Sequence, residues 1–185
     1  LCRTIVSYRV QPQPHAWCEI MKIQDSIARM LARNAKEHRE AAERAAKFDA
    51  GLLKQDLESL FIQAKATLGV MEEELVQHFT EEEEIFFPAA LLGAPSYEMT
   101  QIVRELQRDH VLLTQRLQDL LESFDQETFS TEYITRSDLE KLQSFVGELK
   151  MHAARETAKI FPLFADGGKA LPALTRIMED RRRSD

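Results

Sequence analysis

The chain has 185 residues, 44% of them hydrophobic and 30% charged, with six glycines, six prolines and a formal charge of −7. That size suits one domain with a substantial core. The negative balance argues against a nucleic-acid partner, because the only basic run is Arg181, Arg182 and Arg183, which reads as a solvated tail.

The longest apolar stretch, "IFFPAALLGA", is too short to span a bilayer and contains Pro88, so neither a transmembrane helix nor a membrane partner is expected. No secretory h-region opens the chain. Cys2 and Cys18 form neither a CxxC pair nor a disulfide framework, which fits a reducing, cytoplasmic setting. Residues 1–20, with "QPQP" at 11–14, lack a helical period and read as an N-terminal extension, leaving 21–185 as the domain.

From about Asp25 to Lys47 the spacing of Ile27, Met30, Leu31, Ala35, Ala41, Ala42 and Ala45 predicts a first helix with His38 on its stripe, stopped by "DAG" at 49–51. A second helix is expected from about Leu53 to Phe87, where Met71, Leu75, His78, Glu82 and Ile85 share a face. "GAPS" at 93–96 then breaks the chain, and Ser96 is placed to cap a third helix carrying Val103, Leu106, His110, Leu113, Leu117 and Leu120. The fourth begins near Ser137, whose spacing to Glu140 is that of a capping box, and aligns Leu142, Phe145, Leu149, His152, Glu156 and Leu163. A short terminal helix over Ala173 to Asp180 completes the chain. The expected fold is all-α, an antiparallel up-down four-helix bundle.

Each of the four stripes carries one histidine, and the chain repeats itself around them. "HFTEEEEIFFP" from 78 and "HAARETAKIFP" from 152 align without a gap, so of the four glutamates 81–84 only Glu82 has a counterpart, Glu156. His38 precedes His78 by 40 residues and His110 precedes His152 by 42. The pattern describes two related helix pairs facing each other across a pseudo-twofold axis.

A histidine and a glutamate four apart on a helix lie roughly 6 Å apart along its axis and face the same way. Singly, a histidine on an apolar stripe is usually a hydrogen-bonded core residue, and a glutamate run a solvated face, the role expected of Glu81, Glu83 and Glu84. Together, His38, His78, His110 and His152 with Glu82 and Glu156 supply four imidazoles and two carboxylates to one interior, where the acids would be costly without a cation. The carboxylates are the natural bridges between two metal ions and the imidazoles the terminal ligands. Iron is favoured among N/O-ligated redox metals, with manganese and zinc chemically admissible. His15 lies outside the pattern, and Phe79, Phe86, Phe87, Phe161 and Phe164 are expected to pack the core and shield the site.

These residues resemble the hemerythrin-like, or HHE cation-binding, family. The resemblance covers about residues 25–165 and rests on "EHRE", "HFTEEEEIFFP", "RDHVLL" and "HAARETAKIFP". It implies a four-helix bundle holding two iron ions with an oxo or hydroxo bridge, a centre that meets dioxygen, nitric oxide or peroxide. Oxygen-carrying members have two histidines one turn apart on the third helix, whereas here Leu106 and Thr114 flank His110 at that spacing. The set looks more like the bacterial members, including iron-sulfur cluster repair proteins. The leading expectation is a binder or sensor of a small oxidant; the alternatives are a di-iron enzyme reducing peroxide or nitric oxide or serving cluster repair, and an iron store or buffer.

Overall fold

The structure, a computed structural model, describes residues 14–54, 74–125, 136–165 and 167–184. Helix α1 spans Pro14–Lys54, beginning on a proline whose missing N–H costs nothing in a first turn. It is longer than its apolar stripe suggested at both ends. Residues 14–20 are helical and continuous with the rest, so no break in the helix marks residue 21. At the other end Asp49, Ala50 and Gly51 remain helical. A glycine stops a helix by turning left-handed, and among the described residues only Gly167 has a positive φ, of 74°. Leu53, the expected start of the second helix, belongs to the end of α1 instead, while residues 55–73, with Met71, lie outside the described residues, as do Cys2 and residues 11–13 of "QPQP".

Helix α2, residues 74–93, is built in three parts: a regular α-helical stretch over 74–81, a π-helical turn Glu82–Phe86, and a further α-helical stretch Phe87–Gly93. Pro88 therefore does not end the helix. A proline ring would strike the carbonyl four residues back in a regular α-helix. Here the turn before it is widened, with the Phe87 N–H donating to the Glu82 carbonyl five residues earlier. The matching Pro162 is accommodated differently, because the fourth helix stops at Lys159 and a 3-10 turn Phe161–Phe164 follows. Leu163 thus leaves the helix stripe and packs half-buried against the core.

Helix α3, Tyr97–Asp125, starts as expected: the Met99 N–H donates to Ser96 Oγ at 3.0 Å. Helix α4 spans Arg136–Lys159. Ser137 already lies inside it, and Glu140 takes the Arg136 guanidinium at 3.0 Å, a charge-assisted contact in place of the expected capping box. Helix α5, Leu171–Ser184, is longer than expected and includes the three terminal arginines in its last turn. They are not simply solvated, since Arg181 pairs with Glu84 on α2 and Arg183 with Asp180.

Pairs between helices fix the direction of each one. His38 faces His78 while Arg33 pairs with Glu81, so α1 and α2 are antiparallel. Asp109 pairs with Arg155 and Arg116 with Glu148, so α3 and α4 are antiparallel as well. Helix α4 packs against both α1 and α3. The result is an up-down four-helix bundle, with α5 packed against α2 and α1.

The core divides along its length. At one end Ile23, Ile27, Met30, Ile85, Phe86, Phe87, Val103, Leu106, Ile160 and Phe164 are buried and Leu174 of α5 closes the layer. Toward the other end Leu113, Leu117, Leu120, Leu139, Leu142, Phe145 and Leu149 are buried. Each large side chain buried there contributes about 1.5–3 kcal/mol. Between these two apolar layers lies a belt of buried polar residues.

Two glycines serve the packing in opposite ways. A Cβ on Gly93 would sit 2.3 Å from the Ala170 Cα, whereas one on Gly147 meets nothing within 4 Å. Gly93→Ala is expected to lower stability by about 1–3 kcal/mol. Gly147→Ala, inside α4, is expected to raise it by about 0.5–1 kcal/mol. Thermal or denaturant unfolding of the two variants measures both signs.

Candidate metal centre

The polar belt consists of Asn34, His78, Glu82, His110, His152 and Glu156, all under 9% exposed, together with His38, whose side chain is 10% exposed. Helical spacing brings them there. His38 follows Ile27 and Met30 on α1, His110 follows Val103 and Leu106 on α3, and the pairs His78/Glu82 and His152/Glu156 each occupy one turn of α2 and α4. All six expected site residues therefore converge, while His15 lies 23 residues before His38 on α1, roughly 35 Å along the helix.

The six form two groups that share both glutamates: His38, His78, Glu82 and Glu156, and Glu82, His110, His152 and Glu156. Each group takes its histidines from one helix pair, as a pseudo-twofold arrangement requires. Each carboxylate divides its oxygens between the groups. Glu82 Oε1 is 3.1 Å from His78 Nε2 and its Oε2 is 3.3 Å from His110 Nε2. Glu156 Oε2 is 3.2 Å from His38 Nε2 and its Oε1 is 3.3 Å from His152 Nε2. Within each group the two histidines face each other through Nε2 at 3.2 Å.

The outward nitrogens are held by a further ring of side chains. His78 Nδ1–H donates to Glu37 at 2.7 Å and His110 Nδ1–H to Glu83 at 2.8 Å. His152 Nδ1 lies 3.4 Å from Asp109, which also accepts from Arg155 at 2.7 Å, and His38 Nδ1 lies 3.2 Å from the Thr157 hydroxyl. With Nδ1 protonated, each neutral imidazole turns an Nε2 lone pair inward. Two lone pairs 3.2 Å apart are tolerable only with a positive charge between them.

Glu83 corrects the expectation of a solvated glutamate run. Although partly exposed, it holds His110 at Nδ1 while Glu82 approaches the same ring at Nε2. Glu81 and Glu84 are also engaged, with Arg33 and Arg181. The signal for the outer ring was present in the chain. The acids of "EH" at 37–38 and "DH" at 109–110 precede a histidine on the first helix of each pair, yet each supports the histidine of the second helix.

Phe79 stacks on His110 with centroids 3.9 Å apart, Phe87 flanks the same ring at 5.5 Å, and Phe161 packs edge-on to His38 at 5.1 Å. Phe86 and Phe164 are buried behind them. Leu106 is fully buried and Thr114 is half-buried, so neither position flanking His110 adds a nitrogen to the site. Asn34 is a buried amide the stripe did not announce. It occupies the core-facing position where Ala35 was expected, and its Oδ1 has no partner among the described residues.

A metal fits this set on one observation above all. None of the four oxygens of Glu82 and Glu156 has a partner in hydrogen-bond geometry among the described residues, although all are buried. Two anions without such partners in an apolar interior would be strongly unfavourable. They instead surround, with the inward lone pairs, two points at which a cation would sit.

Without metal, protons provide part of the balance. Burial disfavours the His78 imidazolium, but the Glu37 hydrogen bond and the nearby Glu82 and Glu156 outweigh it and push the pKa up to about 10. At His110 burial is likewise outweighed, by Glu156, Glu82 and Glu83, raising it to about 9. Glu156 is held well below the usual carboxylate range: burial pushes it upward, and His110, His152 and His38 more than reverse that. Glu37 is lowered in the same sense, burial being overcome by His78 and Arg33.

The signs give a pH dependence. The raised histidines stabilise the metal-free fold fully below their unfolded pKa near 6.5, and that contribution is lost as pH rises through about 9 and 10. Metal binding near neutral pH must expel both protons, so affinity is expected to climb with pH, with proton uptake by a dilute buffer reporting the release. Glu37→Gln and Glu83→Gln are each expected to weaken metal binding by about 10- to 100-fold in competition with a chelator.

No helix among the described residues is long and apolar enough to cross a membrane. Comparison with curated proteins and with solved structures returned no match. A family model does match: that of the hemerythrin HHE cation binding domain, over residues 27–164, which takes in all six residues of the cluster. The chain belongs to the hemerythrin HHE cation-binding domain family.

Proposed function

We propose that this protein is a non-haem di-iron binder or sensor of a small oxidant, with dioxygen, nitric oxide or peroxide as the ligand class. The observation that carries the reading is the division of Glu82 and Glu156, each with one oxygen toward each pair of histidines and none with a partner in hydrogen-bond geometry among the described residues. In it, His38 and His78 would hold one ion, His110 and His152 the other, and Glu82 and Glu156 would each offer an oxygen to both.

Two iron ions sharing an oxo or hydroxo bridge would supply ligand exchange and redox chemistry toward the oxidant. The chain's own contributions are more specific. Four protein donors surround each point, fewer than an octahedral ion takes, so positions remain for non-protein ligands. Glu37, Glu83, Asp109 and Thr157 fix the ring orientations and keep the proton on Nδ1, away from the metal-facing nitrogen. Phe79, Phe87 and Phe161 keep bulk water from the imidazoles.

A cavity of about 60 Å³ lies between α1, α2 and α4, lined by His38, His78, His152, Leu75, Leu149 and Ala153. It has room for a few water-sized molecules, which suits a diatomic ligand or peroxide. Glu40 and Glu74 also line it, each paired with Arg44, and among the described residues no other acid–base group lines it apart from the ligand set and Glu37. That balance favours binding or sensing over turnover. A reducing, cytoplasmic setting belongs to the same reading, being the compartment that two isolated cysteines suit.

Anaerobic reconstitution with ferrous iron, followed by near-UV and visible spectra as air is admitted, tests the proposal. About two irons per chain and new ferric bands are expected. Glu82→Ala and Glu156→Ala are each expected to lower iron to one equivalent or less. Background iron in folded wild-type protein would overturn the reading.

A further inference from the structure

The pseudo-twofold repeat extends beyond the six residues of the cluster. Glu37 and Asp109 are equivalent: each directly precedes a histidine on the first helix of its pair and supports the histidine on the second, His78 or His152. Glu83 and Thr157 are equivalent too. Each directly follows a bridging glutamate and supports the histidine on the first helix of the opposite pair, His110 or His38.

Only the last of these four positions departs in charge. Three outer partners are carboxylates and the fourth, Thr157, is a neutral hydroxyl. A carboxylate accepting from Nδ1–H makes the opposite nitrogen a stronger donor and holds the ring in place, and a hydroxyl does less of both.

Packing breaks the symmetry in the same direction. His110 is enclosed by Phe79 and Phe87, and its partner His152 reaches only the small cavity, which it shares with His38 and His78. His38 lines both the small cavity beside His78 and a broad groove of about 650 Å³ between α1 and α4, into which Thr157 also opens.

We infer that Thr157 makes the two metal positions unequal: the one at His38 and His78 fills last and empties first, so that the protein passes through a form with a single ion at His110 and His152. Thr157 acts through His38 and is a positioning residue. The inference rests on the di-metal reading above and adds to it an order of loading that the ligand set alone, being symmetric, does not contain. It makes metal occupancy of the groove-facing position adjustable while the position at His110 and His152 keeps the bundle's buried acids partly neutralised.

The test is chelator-driven release from anaerobic, ferrous-iron-loaded protein, followed by iron content per chain, for the wild type, Thr157→Glu, Glu83→Gln, His38→Ala and His110→Ala. Two ions with release constants at least about tenfold apart are expected in the wild type. Thr157→Glu, at an exposed position, is expected to bring the constants together by tightening the weaker, and Glu83→Gln by loosening the stronger. His38→Ala should keep one ion as firmly as the wild type keeps its second, and His110→Ala should keep one only weakly.

Simultaneous release from the wild type, or constants unmoved by both Thr157→Glu and Glu83→Gln, would overturn the inference while leaving a di-metal site in place. Should Thr157→Glu fail to fold, the Glu83→Gln result decides alone. Fewer than two ions in the wild type would overturn the di-metal reading itself, and this inference with it.

Discussion

Two carboxylates buried in the middle of an apolar bundle are the constraint on which the rest of this structure depends. Glu82 and Glu156 are almost wholly inaccessible, and their oxygens lack partners in hydrogen-bond geometry among the described residues. Removing an anion from water costs several kcal/mol unless opposite charge replaces the solvent. Four histidines brought to the same level supply it, as imidazolium when protonated or as ligands around a metal ion. At His78, His110 and His152 an outer carboxylate then balances the ring in turn, so charge alternates outward from the centre there. The apolar layers on either side hold this arrangement in register.

The local backbone shows how the bundle accommodates its repeat. Both halves carry Phe-Pro after the histidine–glutamate pair, and each proline must avoid the carbonyl one turn back. On α2 the helix widens into a π turn that begins at Glu82 itself, and the chain continues as helix to Gly93. On α4 the helix ends and a 3-10 turn carries the chain toward α5. The π turn lies where Glu82 and Glu83, adjacent in sequence, both serve His110, one at each ring nitrogen. Such turns commonly mark functional positions in helices, and here the proline accounts for it.

Much of this was legible in the sequence, and the rest fails to be legible for physical reasons. The stripe Val103, Leu106, His110, Leu113, Leu117 and Leu120 is a strict helical pattern, and all six residues are buried. The gapless comparison of the two HxxxE segments isolated Glu82 from its three neighbours because a repeat filters out what only one copy needs. The same filter hid Glu83, whose counterpart is Thr157 and whose role depends on a ring from another helix. Glu37 and Asp109 escaped because a residue adjacent to a histidine on a helix points about 100° away from it and meets a different one. "DAG" suggests a stop at Gly51, but composition does not show whether a glycine will turn left-handed. Sharing of metals between helices also depends on which helices are neighbours, and that is a property of the assembled bundle.

The most direct test of the central claim is anomalous diffraction at the iron edge from iron-loaded crystals. The account predicts two peaks per chain, one between His38 and His78 and one between His110 and His152, with Glu82 and Glu156 spanning both. A single peak, none, or two peaks whose histidines are shared differently between helix pairs would contradict it.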